Sequence, residues 1–326
     1  MTKKQVYKSC ELLEHGICFY NWALFSCCYM PENDMSSATY IQPYYNGEKI
    51  NTDLLRSQIQ RWRENAKKGK YLKQCLGCYK LEEKQWDDEF YINQVYITHF
   101  EACNLNCVYC ITDNPVENRN NNPYKIIPVL EDLKEKNILR ENSEFHIGGG
   151  EFTIYPECDE IIEKFVFTNF IKRLCVATNG IKYSENLCKA MEMDKACIII
   201  SVDCGSPRLF SKIKGVNCFD KLKNSLAKYT RSEEARKNIF LKYIVLPKIN
   251  DNKLEFKKFL DLAKEFSING VKIDVDGKYC RKCNYKVDEK IISFINWAEN
   301  YAKENSFDVE LFSFANQLNE YKEDNL

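Results

Sequence analysis

From about residue 91 onward, short apolar runs rich in β-branched residues alternate with amphipathic helical patterns. Six runs have the composition of buried strands, and they cover residues 91–100, 145–147, 174–178, 196–203, 239–246 and 271–275. Helical patterns lie between and after them, at 124–137, 158–169, 184–195, 219–229, 256–266 and 289–304. Strands joined by helices pair in parallel through right-handed crossovers, and six units fall short of the eight that close a barrel. The alternation therefore predicts an α/β fold with a partial (βα)6 TIM barrel.

The first 90 residues do not follow this alternation, although a helix rich in Arg and Lys is predicted near 52–68. We therefore predict three parts: a small N-terminal Cys-rich module over 1–90, the partial barrel over 91–280 and a helical extension over 281–326. Functional side chains of parallel α/β folds gather at the carboxyl ends of the strands. Motifs that directly follow a predicted strand are therefore the candidates for chemistry.

Charge and hydropathy narrow the class of protein. The 47 basic and 47 acidic residues cancel without any polybasic block, so no nucleic-acid partner is expected. The N-terminus lacks the apolar run of a signal peptide, and no apolar run approaches the roughly 20 residues that span a bilayer. We therefore expect a cytoplasmic protein without a membrane partner.

Cysteine is abundant, with 17 residues, and three cysteines follow the first predicted strand closely. Cys103, Cys107 and Cys110 have the spacing C-x3-C-x2-C. In a reducing compartment such a group more often binds metal than forms disulfides, and thiolates are the usual ligands of iron–sulfur clusters. Three thiolates leave one iron of a four-iron cluster open to another ligand.

A zinc site is the alternative for this loop. Zinc sites usually pair two C-x2-C units or add histidines at set spacings. The three histidines of the chain are His15, His99 and His146, and they do not make such a pattern. His99 lies closest to the loop and is the candidate for an added zinc ligand.

The loop resembles the signature of the radical S-adenosylmethionine superfamily, including an aromatic residue, Tyr109, just before the last cysteine. The resemblance implies a [4Fe-4S] cluster whose open iron holds the amine and carboxylate of S-adenosylmethionine. It also implies reductive cleavage of this cofactor to a 5′-deoxyadenosyl radical, which abstracts a hydrogen atom from a substrate. In the superfamily, the backbone at the position of Tyr109 contacts the adenine.

The segment Gly148-Gly149-Gly150-Glu151 follows the second predicted strand and is similar to the superfamily's GGE motif. In that motif, the glycine backbone and the acid hold the methionine amine. Glycine permits close backbone approach, and a carboxylate pairs with an ammonium group. The resemblance therefore assigns Gly149, Gly150 and Glu151 to cofactor binding, with Glu151 also a candidate catalytic residue. Taken alone, the segment is also compatible with an ordinary turn.

Polar residues also follow the next three predicted strands. Asn179 stands in a Thr-Asn-Gly segment that resembles a common motif of the superfamily, and Ser201 and Asp203 occupy a position that often contacts the ribose or carboxylate of the cofactor. Lys242 is a candidate to neutralise that carboxylate. The simpler alternatives are helix caps for Asn179 and Asp203 and a solvated Lys242.

A second group of cysteines lies in the first 90 residues and resembles the auxiliary cluster modules called SPASM or twitch, although it precedes the barrel instead of following it. The resemblance favours one auxiliary [4Fe-4S] cluster. Its four preferred ligands are Cys10, Cys27, Cys75 and Cys78, with Cys28 able to replace Cys27 and Cys18 able to replace Cys10. Structural zinc remains the rival, because C-x2-C fits both metals. Cys280 and Cys283 form a further C-x2-C pair that could join this centre, act as a redox pair or be incidental.

Three kinds of function remain open from the sequence. The preferred one is oxidative modification of a ribosomally made peptide or a carbohydrate, assisted by the auxiliary cluster and by an electron-donating partner of the flavodoxin or ferredoxin type. The second is redox-neutral epimerisation, in which the thiol of Cys204 returns a hydrogen atom to the substrate radical. The third is a metal-binding protein without catalysis on the same scaffold. The cofactor supplies the radical in the first two cases, so the loop alone does not determine the substrate.

Overall fold

The computed structural model describes residues 5–27, 39–44, 49–71, 75, 78, 80–110, 123–283, 286–311 and 315. The chain divides into two compact units. The first comprises Met1–Glu101, Asn120–Gly150 and Tyr155–Cys175, and the second comprises Ala102–Arg119, Glu151–Ile154 and Val176–Leu326. The predicted boundaries at residues 90 and 280 lie inside these units, and the three-part division stays a prediction.

The first unit combines short strands of the N-terminal region with the first strands of the predicted barrel. Its strands are β1 (Gln5–Ser9), β2 (Gly16–Phe19), β3 (Ala23–Phe25), β4 (Tyr40–Pro43), β5 (Glu82–Trp86), β6 (Ile92–Ile97), β7 (Leu139–Ile147) and the beginning of β8 (Ile171–Thr178). Its helices are α1 (Glu11–His15), α2 (Thr52–Lys67), α3 (Ile127–Glu135) and α4 (Cys158–Ile161), and a π-helical turn (Ile162–Val166) continues α4.

Two sheets are formed within this unit. Strands β1 and β5 form an antiparallel pair, and the other strands follow the order β7-β6-β2-β3-β4. Strand β6 is parallel to β7 on one side and to β2 on the other. The N-terminal region therefore extends the parallel sheet through β2. The sequence did not predict this, because β2 has only four residues and all of them are buried, so it carries no alternating pattern.

Helix α2 illustrates why the N-terminal region is structured. The side chain of Asn51 accepts hydrogen bonds from the main-chain amides of Asp53 and Leu54, which satisfies amides that have no partner inside the helix. The face of α2 that carries Ile59 and Trp62 is buried. The helix predicted near 52–68 is confirmed.

The second unit continues from the end of β8. It contains α5 (Glu185–Glu192), β9 (Ala196–Ser201), α6 (Pro207–Lys214), α7 (Phe219–Tyr229), α8 (Glu233–Arg236), β10 (Ile239–Val245), α9 (Lys253–Glu265), β11 (Gly270–Val275), α10 (Gly277–Lys282), α11 (Glu289–Glu304) and β12 (Asp308–Leu311). Strands β9, β10, β11 and β12 pair in that order and are parallel. Their apolar runs are largely buried, and all six residues of β11 are buried, as is typical of a parallel sheet covered on both faces.

The predicted α/β class with a parallel sheet is confirmed, and all six predicted strands are present as β6 to β11. Strand β7 begins at Leu139, six residues before the predicted run, because its first half alternates with exposed polar residues. Helix α6 and strand β12 were not predicted. Among the residues that the structure describes, no helix is long and apolar enough to cross a membrane.

Candidate active site

The loop from Cys103 to Cys110 follows β6 and has no regular secondary structure. Its main chain is held by the last turn of α6: the amide of Asn106 donates to the carbonyl of Lys214 at 3.0 Å, and the amide of Val108 donates to the carbonyl of Ile213 at 2.9 Å. The last carbonyls of a helix have no partner inside the helix. The end of α6 and the cysteine loop thus satisfy each other's main-chain groups.

A glycine makes this close approach possible. Gly215 follows α6 in the left-handed conformation, with φ of +70°, and a Cβ atom there would lie 2.6 Å from the carbonyl oxygen of Asn106. Every other residue type would push the loop away from α6. Gly215 therefore fixes the distance between this helix and the three cysteines.

The three loop cysteines are partly exposed, whereas many other cysteines of the described chain are buried. Burial raises the pKa of the Cys107 thiol to about 11, the positive charge of Lys214 opposes this shift, and the charges of Cys103 and Cys110 add to it. Cys103 and Cys110 therefore lie close enough to Cys107 to influence its pKa. Among the described residues, no three His, Cys, Asp or Glu side chains stand close enough together to ligate a single metal ion. The fit to an iron–sulfur cluster rests on the donor set, three thiols of one partly exposed loop.

The glycine segment after β7 lies against the end of β6 in the first unit. The amide of Gly150 donates to the carbonyl of Phe100 at 2.8 Å. Gly149 has φ of +90°, and a Cβ atom at this position would lie 2.8 Å from the same carbonyl oxygen. Position 149 therefore requires glycine for a physical reason, because a side chain would separate the two strand ends. Binding of a cofactor by Gly149 and Gly150 stays a prediction.

Glu151 is buried, with 1% exposure, and its carboxylate is surrounded by donors of the second unit. One oxygen accepts from the main-chain amide of Thr153 at 3.1 Å, from the Thr153 hydroxyl at 2.7 Å and from the Thr178 hydroxyl at 2.7 Å. The other accepts from the main-chain amide of Asn179 at 2.7 Å. An ionised carboxylate has about four acceptor sites, so an ammonium group would have to share this oxygen pair with the existing donors.

Asn179 lies directly after β8, as predicted, and its side chain contacts the cysteine loop. Its amide nitrogen donates to the side-chain oxygen of Asn104 at 2.7 Å and approaches the Sγ atom of Cys103 at 3.7 Å. Its side-chain oxygen accepts from the amide of Ile181 at 2.9 Å, which fixes the orientation of the amide group. An N–H donor beside a cysteine sulfur is one of the ways in which proteins adjust an iron–sulfur cluster.

Asp203 is fully buried at the end of β9 and forms a network with Lys214 and Tyr109. The hydroxyl of Tyr109 donates to Asp203 Oδ2 at 2.6 Å, and Lys214 Nζ forms an ion pair with the same oxygen. The other oxygen, Oδ1, accepts from the main-chain amide of Ile244 at 2.8 Å. Both carboxylate oxygens therefore have partners within the chain, and contact with the ribose stays a prediction.

Ser201 and Lys242 occupy paired positions of β9 and β10. Ser201 is half-buried. The ammonium of Lys242 lies 3.1 Å from the carboxylate of Asp274, and burial raises the pKa of that carboxyl group. Lys242 therefore already has a counter-ion on the neighbouring strand, and neutralisation of a cofactor carboxylate by Lys242 stays a prediction.

Cys204, the candidate hydrogen donor, is fully buried. Its thiol lies 3.7 Å from the carbonyl of Ser206, and burial raises its pKa to about 12. The group is thus a protonated thiol at neutral pH. It has no exposed surface from which a substrate radical could be approached.

The four preferred auxiliary ligands all belong to the first unit. Cys10 and Cys75 are buried in one hydrophobic cluster, and Cys27 packs against this cluster. Burial raises the pKa of Cys10 to about 12, and the charges of Cys75 and Cys78 act in the same direction. Cys75 and Cys78 thus lie close enough to Cys10 to influence it, and metal binding by the four cysteines stays a prediction.

Four other cysteines were named as alternative ligands of this second site. Cys18 is buried in a different cluster, beside Ala23 and Phe25, and Cys28 lies outside the described residues. Cys280 is fully buried in α10, and the Cys283 thiol donates to the carbonyl of Cys280 at 3.3 Å. The pair at 280 and 283 belongs to the second unit.

His99, the candidate for an added zinc ligand, is buried after β6. Its Nε2 atom lies 3.0 Å from the carbonyl of Tyr124 and 3.1 Å from the hydroxyl of Tyr155. Burial lowers the pKa of His99 to about 4, so the ring is neutral near pH 7. Its position is that of a core histidine of the first unit.

Several residues that the structure brings to the site were not predicted from the sequence as site residues, above all Lys214, Thr153 and Thr178. A signal for Lys214 was available: it falls on the apolar face of α6 with Phe210 and Ile213, at a spacing of three and four residues. A lysine on the buried face of a helix requires a partner. The two threonines carried no such signal, because a hydroxyl is equally common on the surface.

Comparison with known proteins supports this reading of the loop. The Radical SAM superfamily model matches residues 97–262. GTP 3′,8-cyclase of Haemophilus influenzae is 25% identical over 178 residues, which cover 54% of this chain and 51% of the relative. GTP 3′,8-cyclase of Vibrio cholerae is 27% identical over 199 residues, which cover 59% of this chain and 56% of the relative. The chain thus spans about half the length of the curated relatives it matches.

A solved structure shares the fold. Streptococcus suis SuiB, crystallised with the precursor peptide SuiA, superimposes with a TM-score of 0.53 at 14% identity, covering 82% of this chain and 65% of that chain. A likeness at this identity concerns the fold alone. The superfamily match, in contrast, covers half of the sequence and includes the cysteine loop and the motifs after β7, β8 and β9. The chain belongs to the radical S-adenosylmethionine superfamily of enzymes.

Proposed function

We propose that Cys103, Cys107 and Cys110 hold a [4Fe-4S] cluster whose fourth iron binds S-adenosylmethionine. When both are bound, the cluster supplies the electron that cleaves the cofactor to methionine and a 5′-deoxyadenosyl radical, which then abstracts a hydrogen atom from a substrate. The observation that carries the proposal is the loop itself: three partly exposed thiols follow β6, on a loop that is held against the end of α6.

The chain's own residues contribute binding and orientation. Gly149 and Gly150 keep the main chain after β7 free of side chains, which leaves room for a cofactor to approach. Asn179 orients the loop through Asn104. Glu151 binds Thr178 and Asn179 at the end of β8, so we propose a positioning role for it beside its predicted contact with the methionine amine.

We further propose an auxiliary [4Fe-4S] cluster at Cys10, Cys27, Cys75 and Cys78. Its support is that Cys10 and Cys75 share one buried cluster against which Cys27 packs, and that the charges of Cys75 and Cys78 both raise the pKa of Cys10. When bound, such a cluster supplies an acceptor for the single electron that a substrate radical must lose in a net oxidation. The substrate then loses one hydrogen atom to the 5′-deoxyadenosyl group and one proton to a base.

A peptide is the substrate class that we favour, with a carbohydrate as the alternative from the sequence. SuiB, which shares the fold, was crystallised with a precursor peptide. A second candidate is radical chemistry on a nucleoside triphosphate, because the curated relatives are named GTP 3′,8-cyclase. Redox-neutral epimerisation with Cys204 is the less favoured reaction, because that thiol is fully buried. We expect a flavodoxin- or ferredoxin-type protein to supply the electron.

The test is anaerobic reconstitution with iron and sulfide, followed by incubation with dithionite and S-adenosylmethionine. Formation of 5′-deoxyadenosine is expected in the wild-type protein and its loss in the Cys107→Ala variant. A wild-type protein with a full iron load that forms no 5′-deoxyadenosine overturns the proposal. With a substrate in hand, a loss of two mass units indicates oxidation, whereas deuterium uptake from solvent without that loss indicates epimerisation.

A further inference from the structure

Lys214 is a buried, charged side chain beside the cysteine loop. It is the last residue of α6, and both its side chain and that of its partner Asp203 are fully inaccessible to solvent. Lysine is almost never fully buried unless it is paired, and a buried charge without a partner is strongly destabilising. Such a pair in the core therefore needs an explanation from its surroundings.

The Asp203 side of the pair is rigidly held. Asp203 adopts a left-handed conformation with φ of +68°, and its main-chain carbonyl accepts a hydrogen bond from the side chain of Asn250 at 2.8 Å. Its Oδ1 atom is bound by the amide of Ile244 in β10. The carboxylate that faces Lys214 is thus anchored to the parallel strands of the second unit.

Lys214 contacts the cysteine loop through two groups, its main-chain carbonyl and its ammonium. Its main-chain carbonyl accepts the amide of Asn106 at 3.0 Å. Its ammonium donates to the hydroxyl of Tyr109 at 2.8 Å, and that hydroxyl donates to Asp203. Asn106 directly precedes Cys107, and Tyr109 follows it by two residues. One lysine therefore fixes the loop on both sides of this cysteine.

The positive charge of Lys214 lies beside the loop that carries Cys107. The ammonium binds the hydroxyl of Tyr109, two residues after this cysteine, and lies 5.1 Å from the centre of the Tyr109 ring. Lys214 thus places a fixed cation next to the cysteine loop.

We propose that Lys214 is a positioning residue of the cluster site, which fixes the loop around Cys107 and makes a cluster bound there easier to reduce. Reduction adds a negative charge, and a fixed positive charge in a medium of low dielectric constant favours it. The effect on reduction rests on the proposed function, because it requires a bound cluster. The fixing of the loop concerns the protein before any cluster is bound.

The first experiment tests the loop in the apo-protein by hydrogen exchange. In Lys214→Met, the amides of Asn106 and Val108 are expected to exchange faster than in the wild-type protein. Lys212→Met is the matched control, since Lys212 is exposed on the same helix and its loss removes the same charge. Equal exchange of these amides in Lys214→Met and the wild type overturns the positioning role, whether or not a cluster is ever incorporated.

The second experiment is a redox titration of the reconstituted protein, followed by electron paramagnetic resonance. The midpoint potential is expected to become more negative in Lys214→Met, to remain close to wild type in Lys214→Arg and to be unchanged in Lys212→Met. An unchanged potential in a fully loaded Lys214→Met protein contradicts the electrostatic role. A wild-type protein that takes up no cluster overturns the proposed function instead, and the hydrogen-exchange result then decides the positioning role alone.

Lys214→Met leaves Asp203 buried without its counter-ion, which destabilises the protein as a whole. The double variant Asp203→Asn with Lys214→Met removes both charges and avoids that problem. In the double variant, the amides of Asn106 and Val108 are expected to exchange faster than in the wild-type protein, because the hydrogen bond from Lys214 to Tyr109 is lost. Equal exchange in a folded double variant contradicts the positioning role.

Discussion

The carboxylate of Glu151 and the main-chain amide of Asn179 are joined by a hydrogen bond of 2.7 Å. The bond joins the segment Glu151–Ile154 to the end of β8 within the second unit, and the hydroxyls of Thr153 and Thr178 bind the other oxygen of the same carboxylate. A single acid therefore organises this part of the second unit. Its substitution affects the protein before any cofactor is present.

Glu151→Gln is expected to destabilise the apo-protein by about 1–3 kcal/mol, because the new amide group presents donors to donors in a buried site. Urea denaturation of the metal-free protein measures this loss. Glu160→Gln is the matched control, since Glu160 is an exposed acid whose ion pair with Lys164 lies at the surface, where such pairs contribute about 0–1 kcal/mol. Equal stability of Glu151→Gln and the wild type contradicts the organising role.

Gly215→Ala is expected to lower the amount of iron that the protein takes up, because the added methyl group pushes Asn106 and its loop away from α6. Gly69→Ala is a closely matched control: Gly69 has φ of +68°, and nothing lies within 4 Å of an added Cβ atom. Both variants carry the left-handed penalty of about 1–2 kcal/mol. Iron analysis after reconstitution is therefore expected to distinguish them, and equal iron loads contradict the close-approach argument.

Replacement of Cys10, Cys75 or Cys78 by Ala is expected to remove one cluster and leave the other. Iron and sulfide content then falls to about half of the wild-type value, as expected for the loss of one of two four-iron clusters, while 5′-deoxyadenosine is still formed. Cys188→Ala is the control, because Cys188 is buried within α5 and belongs to neither cysteine group. A full iron load in all three variants excludes the auxiliary cluster at these residues.

The stability of the metal-free protein is expected to fall as the pH is lowered from about 6.5 to 4. Burial lowers the pKa of His99 to about 4 in the folded protein, whereas the unfolded chain protonates near 6.5. Between these values the unfolded state binds the extra proton, so the free energy of unfolding decreases by up to about 1.4 kcal/mol per pH unit for one histidine. His15 and His146 act in the same direction, since burial also lowers their pKa values to about 4.

His99→Phe isolates one contribution to this pH dependence. The slope of the unfolding free energy against pH between pH 6.5 and 4, measured by urea denaturation, is expected to be smaller in the variant. The decrease is the contribution of one proton, up to about 1.4 kcal/mol per pH unit. The slopes of the wild type and the variant are compared, so the lost hydrogen bond to Tyr124 does not affect the result. An identical slope would mean that His99 is protonated in the folded protein.

Much of the fold could be predicted because it is built from local patterns. Runs such as the one in β11 are buried on both faces and are therefore recognisable as strands, and helices such as α9 show an apolar face at helical spacing. Strand β2 could not be found in this way, because its pairing with β6 joins residues 16–19 to residues 94–97. Such a contact depends on tertiary structure and leaves no periodic trace.

The candidate site, too, could be predicted only where its features are local in the sequence. The cysteine loop and the residues after each strand are recognisable from spacing and from their place in the βα alternation. The contacts of each side chain cannot be recognised in this way. Asp203 was predicted to contact the cofactor, and in the structure its carboxylate binds Tyr109, Lys214 and Ile244. These partners come from distant parts of the sequence, and only the folded chain brings them together.

The most direct test of the account concerns the open iron at the cysteine loop. Electron paramagnetic resonance of the reduced, reconstituted protein is recorded with and without S-adenosylmethionine, using cofactor labelled with ¹⁵N in the methionine amine. We expect the spectrum to change on addition of the cofactor and to show coupling to the labelled nitrogen, and both effects to be absent from Cys103→Ala, Cys107→Ala and Cys110→Ala. A cluster spectrum that does not change when the cofactor is added would contradict the account, and so would a spectrum that is unchanged in the three cysteine variants.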